Sequence, residues 1–357
     1  MPRGKNLLIA LAFAALYLIW GTTYLAIGLT VEAVPPVFMV VLRGAIAGGV
    51  LYWISRARGG APIGGSEMLA IAPTALLLFG GGYVLVGWAE QSVASGPAAL
   101  LNATTPAWVV LIEWLARRRS RPTLKVVTGL FAGVAGVVLL VSGGGGDARP
   151  LAVLPALALV AASAAWAGGT VLAGKRSHDD PMRGAAVQLL TGALLLLPIS
   201  LGLGEIGMLT RTPATTSSLV ALGYLVVFGS LIGYTAYSWL LHQVPASKVA
   251  SHSYVNPLVA VMVGALLARE QITVYTVVAA ALIIVSVVVI ITEKRGSDGD
   301  NQRRSALARS QVLSSLSPKR STRTLELARQ SHEIAPVRRG SGDHHQPERS
   351  GGAVRTA

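Results

Sequence analysis

The chain contains no cysteine and little charge. Only 13% of its 357 residues are Asp, Glu, Lys or Arg, where an ordinary soluble domain carries about 25%. Without cysteine there is no thiolate catalysis, no disulfide and no cysteine-held metal. No Walker loop, His-Glu-x-x-His helix or pair of aspartates within an apolar run is present, which argues against ATP drive and membrane proteolysis. The expectation is a non-enzyme with no cofactor and no metal. Acidic residues are also scarce, 16 against 30 basic ones, giving a formal charge of +14. In a soluble chain that excess would suggest nucleic acid. Here much of it falls in short clusters at the ends of apolar runs, the pattern of an integral membrane protein, and no nucleic-acid partner is expected.

What is present is long apolar runs. Spanning a bilayer takes roughly 20 predominantly apolar residues. Ten segments qualify, at 7–28, 36–55, 68–88, 93–116, 124–142, 150–172, 183–203, 216–240, 246–268 and 273–292. The first is too long for the apolar core of a signal peptide and lacks a small-residue cleavage pattern, so it reads as a retained span. Placing the N-terminus in the cytoplasm puts Arg3, Lys5, Arg56, Arg58, the basic cluster at 117–121, Lys125, Lys175, Arg176, Arg183, Lys248, Lys294 and Arg295 inside. Only Arg149, Arg211 and Arg269 then remain outside among short loops and helix ends. Both termini are therefore expected in the cytoplasm, with the chain multi-pass in the cell membrane. Residues 296–357 are rich in Ser, Arg, Gly and Pro and lack the apolar residues of a core, so they read as a disordered basic tail. Its arginines suit weak contact with anionic lipid headgroups, and 303–333 is a candidate transient surface helix.

The spans repeat. Trp88/Trp239, Val93/Val244, Ala99/Ala250, Pro106/Pro257, Val110/Val261, Leu115/Leu266 and Arg118/Arg269 share one spacing. Trp20/Trp166 and Pro35/Pro181 share a slightly shorter one, as a short insertion after residue 203 would produce. The repeats are read as 1–147 and 148–295, with 296–357 outside them. Five spans per copy is an odd number, so the second copy must sit inverted. Inverted repeats are the architecture of secondary transporters, with substrate held near the midplane between the copies. The expected fold is all-α, ten transmembrane helices in two inverted five-helix repeats.

Trp20-Gly21-Thr22-Thr23-Tyr24, Pro35-Pro36 followed by Arg43, and Ser95 to Leu101 leading to Thr105-Pro106 resemble the EamA family of the drug/metabolite transporter superfamily. The second copy resembles it through Ala246 to Ala250, Asn256-Pro257 and Arg269-Glu270. The resemblance covers about 7–293 and omits the tail. It implies a ten-helix inner-membrane carrier exporting amino acids, other metabolites or drugs. Where the family usually has Gly-Glu ending the fourth helix this chain has Arg118-Arg119, while the second copy keeps its acid as Glu270.

Several residues are candidates for chemistry. The run around Trp20 and Tyr24 serves either plain packing or cavity lining, and the matching Trp166-Ala-Gly-Gly-Thr170 favours the second. Arg43 lies well inside the second span, where a charge is costly unless it faces protein or water. Its planar fork suits a substrate carboxylate. Asn102, Gln188, Tyr254 and Asn256 complete the expected substrate-binding set. Glu90, at the outer end of the third span, and Glu113, placed to pair with Arg117 one helical turn on, are candidate coupling acids. His242 and His252 read as interfacial, and Pro106 and Pro257 as helix-shaping kinks or hinges. The reading is a secondary transporter for a small metabolite, amino acid or drug-like solute, working by alternating access and exporting its substrate. The alternative is a lipid or precursor flippase or a membrane-embedded enzyme. A homodimer is a further candidate state.

Overall fold

The computed structural model describes residues 3–117, 124–142, 152–174, 180–209, 211, 213–244, 246–250, 252–286 and 288–289. The basic cluster after Arg117, the glycine-rich joint at 143–147 and the tail expected to be disordered lie outside the described residues. The chain divides into a unit Met1–Asp298 and a unit Gly299–Ala357, the latter wholly outside them.

Among the described residues the secondary structure is helical, with no strand. The long helices are α1 (Arg3–Val31), α2 (Pro36–Ala57), α3 (Gly65–Ala89), α4 (Ser95–Leu115), α5 (Leu124–Ser142), α6 (Val153–Ala173), α7 (Pro181–Gly202), α8 (Thr216–Gln243), α9 (His252–Leu267) and α10 (Val274–Ser286). Seven of these, α1–α4 and α6–α8, are long and apolar enough to cross a membrane, while the apolar stretches of α5, α9 and α10 are shorter. In lipid the backbone must satisfy its own hydrogen bonds, which is why such apolar runs become helices.

Helix ends follow local chemistry. Pro36 and Pro181 stand at helix starts, where a missing N–H costs nothing. Asp180 caps α7 by accepting from Met182 N at 2.9 Å, and Thr215 and Ser218 form a capping box at α8. Two helix starts are capped from far along the chain. Glu205 accepts from the Val37 and Phe38 N–H groups that open α2, at 3.2 and 2.7 Å, and from Ser200 Oγ. Glu270 accepts from Ser95 N, Ser95 Oγ and Gly96 N at 2.9, 2.6 and 3.0 Å, holding the start of α4. Carboxylates are favourable at helix N-termini because the unpaired N–H groups and the helix dipole both point at them. Arg269 makes the second of these possible by adopting φ 56, left-handed backbone that ends α9 and folds Glu270 back over Gly264.

Glycine sets the close approaches. A Cβ on Gly44 would lie 2.8 Å from Leu189 O, and one on Gly48 would lie 2.9 Å from Leu190 Cγ, so α2 and α7 pack through a small-xxx-small face. The contacts then repeat in a crossed pattern: α1 packs on α8 and α9, and α6 packs on α3 and α4.

Two features are absent from the sequence expectation. Helices α3 and α8 each contain a π-helical stretch, Leu76–Val84 and Leu225–Tyr234. The fourth segment is broken by a turn at Ala103-Thr104, between Ser95–Asn102 and Thr105–Arg117.

Candidate substrate cavity

The aromatic residues meet on the two π-helical stretches. A Cβ on Gly82 would come 2.8 Å from Trp166 Cε3, and one on Gly233 would come 2.5 Å from Trp20 Nε1. Each tryptophan of the repeat thus lies on a glycine contributed by the other copy, and the spacing that carries Pro106 onto Pro257 also carries Gly82 onto Gly233. The two indoles meet edge to face at 5.4 Å. Tyr237 packs on both, Tyr83 stacks on Trp166 at 5.1 Å, and His252 stands edge-on to Trp20 at 5.0 Å. The Trp20 indole N–H donates to Gly229 O at 3.2 Å.

Around this aromatic centre lies a cavity of about 50 Å³. Trp20, Tyr24, Arg43, Asn102, Trp166 and Asn256, six of the residues expected from sequence, line it together. Thr23, Tyr83, Thr105, His252 and Ser253 supply the further polar lining. The volume suits a few water molecules or a single small polar group. Thr22, by contrast, faces α8 and bonds Tyr224 OH at 2.5 Å, and Gly21 packs against Val259. The Trp-Gly-Thr-Thr-Tyr run therefore serves packing and cavity at once, on different faces of one helix.

Arg43 is 2% exposed, and no described carboxylate pairs with it. Its Nε donates to Ser230 Oγ at 3.2 Å, and its guanidinium lies over the Tyr83 ring, 4.4 Å from the centroid, a cation–π contact. Nη1 has no hydrogen-bond partner. Asn102 donates from Nδ2 to Tyr24 OH at 2.7 Å while its Oδ1 stays unpaired. The cavity wall therefore presents one free donor and one free acceptor, both buried and both costly to leave unmade. Asn256 is fully used when its amide is oriented to satisfy both ends: the nitrogen then donates to the His252 and Tyr17 carbonyls, at 2.9 and 3.2 Å, and the oxygen accepts from His252 Nδ1.

The remaining candidates fall elsewhere. Gln188 is buried behind the cavity, where Oε1 accepts from Tyr234 OH at 2.7 Å. The side chain of Tyr254 lies outside the described residues. Glu113 is half-buried on α4 and does not line the cavity. Glu90, expected at a solvated helix end, is instead 7% exposed just beyond α3. His252, expected at the interface, is buried in the cavity wall because the turn before α9 folds it onto Trp20. The missed Tyr83 had a signal, since the repeat spacing carries it onto Tyr234.

Comparison with known proteins places this geometry. The inner membrane transporter YedA of Escherichia coli K12 is 35% identical over 263 residues, 73% of this chain and 83% of that protein. The transporter YoaV of Bacillus subtilis is 26% identical over 274 residues, 74% of this chain and 90% of its own. Protein PecM of Dickeya dadantii is 28% identical over 264 residues, 71% and 82% of the two chains. A solved crystal structure shares the fold at 21% identity and a TM-score of 0.57, covering 80% of this chain and 98% of that one. The model of the EamA-like transporter family matches twice, over residues 7–142 and 153–292. Those two matches take in every helix that builds the cavity, and with relatives named as membrane transporters they make the chain a multi-pass membrane protein belonging to the EamA-like transporter family.

Proposed function

We propose that the chain is a secondary carrier that exports a small amphipathic solute bearing a carboxylate, such as an amino acid, a related metabolite or a drug-like acid. One observation carries this reading: a buried arginine with a free Nη1 faces a cavity in which no described carboxylate neutralises it. A substrate carboxylate would take that donor, and the free Asn102 Oδ1 offers an acceptor for an amine or hydroxyl on the same molecule. The aromatic walls provide apolar area for the rest of the solute.

A cavity of about 50 Å³ is smaller than such a solute, so this conformation is a contracted one and the cycle must widen it. Ten spans as two inverted five-helix repeats, with both termini cytoplasmic, supply the alternating-access frame. The crossed packing of α1 on α8 and α9, and of α6 on α3 and α4, supports that symmetry. Interrupted helices of the π type often mark functional sites, and here they flank the tryptophans whose separation would open the chamber. Residues 1–147 and 148–295 form the moving parts, and 296–357 are dispensable for transport.

The test is counterflow in liposomes with a panel of amino acids and drug-like acids, together with quenching of tryptophan fluorescence. Arg43→Lys should weaken binding at normal expression, and Arg43→Gln should abolish it. If both variants bind and exchange solute like the wild type, the reading fails. Reporter fusions after residues 60, 120, 147 and 296 should read inside, inside, outside and inside. An outside reading at 296 removes the inverted frame.

A lateral apolar cavity of about 200 Å³ between α4, α5, α6 and α10 favours a second reading, a lipid flippase. Thr104, Trp108, Leu111, Val134, Val137 and Ile283 line it. Scrambling of a fluorescent phospholipid by the reconstituted protein distinguishes the two readings.

A further inference from the structure

Glu90 has no role in the packing just described, yet it is an ionisable group placed at considerable cost. It follows the last residue of α3, is 7% exposed, and neither carboxylate oxygen has a hydrogen-bond partner. Other described acids are held by partners. Glu205 and Glu270 cap helix starts, and Glu67 pairs with Arg183 at 2.5 Å. An unpaired carboxylate in such surroundings loses several kcal/mol of solvation, so it persists in the neutral form or finds a cation. Among the described residues no lysine, arginine or histidine pairs with it, and no group of ligating side chains is built to hold a metal. Of the titratable groups near it, Glu270 beyond α9 is a second acid and opposes its ionisation, while Tyr24 on α1 is a neutral hydroxyl on which a charge at Glu90 would act. Burial, with the Glu270 carboxylate adding to it, pushes the Glu90 carboxyl well above the usual carboxylate range. The Gly28 backbone gives a partial offset that falls short of hydrogen-bond geometry.

The position links two structural elements. On one side Glu90 senses the Glu270 carboxylate that holds the start of α4 from the second copy. On the other its charge bears on Tyr24, whose hydroxyl accepts from Asn102 in the cavity wall. A charge appearing at Glu90 would repel Glu270 and act on the cavity through Tyr24 together.

We propose that Glu90 is a proton-binding site of the transport cycle, holding a proton in the contracted conformation and releasing it to water when the second-copy contact at the start of α4 opens. The step is a simple acid dissociation: the carboxyl O–H bond breaks, the proton passes to water, and the carboxylate remains to be reprotonated on return. The inference rests on the carrier reading and adds the coupling ion to it.

The test uses the full chain reconstituted in liposomes and needs no substrate. Infrared difference spectra should show a protonated-carboxyl band at neutral pH that disappears on alkalinisation. Glu90→Gln should lose the band, and Glu90→Asp should keep a shifted one. A pH jump on a solid-supported membrane should give a transient current in the wild type that Glu90→Gln lacks. Identical spectra and currents in wild type and Glu90→Gln overturn the proposal. So does a wild-type band that never titrates, because a permanently neutral acid is structural. A solute panel with no substrate in it would sink the carrier reading while leaving the infrared titration intact, and a failed titration would leave counterflow intact.

Discussion

The two matched copies share a frame but not its chemistry. In both, a tryptophan lies on a glycine of the other copy's π-helical stretch, Trp20 on Gly233 and Trp166 on Gly82. The polar groups differ. Where the first copy has Arg43, the repeat spacing gives Leu189; where it has Glu90, Leu241; where it has Tyr24 and Asn102, Thr170 and Ser253. The first copy thus carries the unpaired Arg43 and Glu90, and the second contributes Trp166, His252, Asn256 and the carboxylates of Glu205 and Glu270 that hold the first copy's helix starts. In the carrier reading proposed above, a symmetric frame is what lets the chamber open either way. An asymmetric lining is what it needs to hold one solute in one orientation.

The largest effect should come from breaking the shared frame. Valine at Gly233 or at Gly82 places atoms where Trp20 Nε1 or Trp166 Cε3 now sits. Overpacking of this kind costs about 1–3 kcal/mol and displaces the rigid indole. Both variants should lose counterflow while still inserting in the membrane. Gly49→Ala, whose added Cβ meets nothing within 4 Å, should transport normally. Loss at only one of the two tryptophan-bearing glycines would show that the frame is not functionally symmetric.

Next in size is making the first copy resemble the second. Arg43→Leu installs the residue of the equivalent position, Leu189, and removes a buried guanidinium with a free Nη1. A charged hydrogen bond to substrate is worth about 1.5–3 kcal/mol, so binding should weaken roughly tenfold to a hundredfold by fluorescence quenching. Insertion should not suffer, because the change removes a desolvated charge. Unchanged affinity in Arg43→Leu would mean that the asymmetry at this position does not serve recognition.

The Glu90/Leu241 difference predicts a slope rather than a loss. The folded Glu90 carboxyl is held above its ordinary range, so the native state binds a proton that the unfolded state has already released. Its contribution to stability is complete below the ordinary carboxylate range and is lost as pH rises toward the folded value. Thermal melting of the wild type should therefore fall as the solution becomes more alkaline, and Glu90→Gln should flatten that part of the profile. A parallel profile in the variant would mean that other groups set the slope.

Much of this was legible in the sequence because it depends on composition and spacing. Apolar runs located the helices, and the recurrence of Trp20 as Trp166 and Pro106 as Pro257, together with the depth of Arg43 in its span, pointed to six side chains that the fold brings to one cavity. The π-helical stretches were not legible, since a shift from the usual hydrogen-bond ladder to i→i+5 leaves no mark on apolar periodicity. The glycines at 80–82, 229 and 233 were their visible trace. Gln188 read as a cavity group because it is polar inside an apolar run, but its partner Tyr234 lies on a helix distant in sequence. Glu90 read as solvated because it ends a span, and only the packing of α1, α2 and α6 around that end reveals it as buried.

The smallest effect should separate two tyrosine hydroxyls, one anchored in each copy. Tyr24 OH accepts from Asn102 at 2.7 Å, and Tyr237 OH bonds Thr170 Oγ1 at 2.7 Å. Polar contacts between membrane helices are worth about 0.6 kcal/mol on average, so neither Tyr24→Phe nor Tyr237→Phe should unfold the protein. Their consequences differ because their partners do. Thr170 keeps its bond to Trp166 O at 2.8 Å when Tyr237 loses its hydroxyl, so no polar group there is orphaned. Asn102 already has an unpaired Oδ1, and losing Tyr24 OH removes the partner of Nδ2 as well, leaving the amide without a fixed orientation at the cavity wall. Tyr24→Phe should therefore weaken solute binding about two- to threefold, as a loss of about 0.6 kcal/mol requires, and Tyr237→Phe should leave it within error of the wild type. The same quenching titration measures both. Equal losses would place the Asn102 amide outside the recognition of solute and return the first copy's polar wall to a packing role.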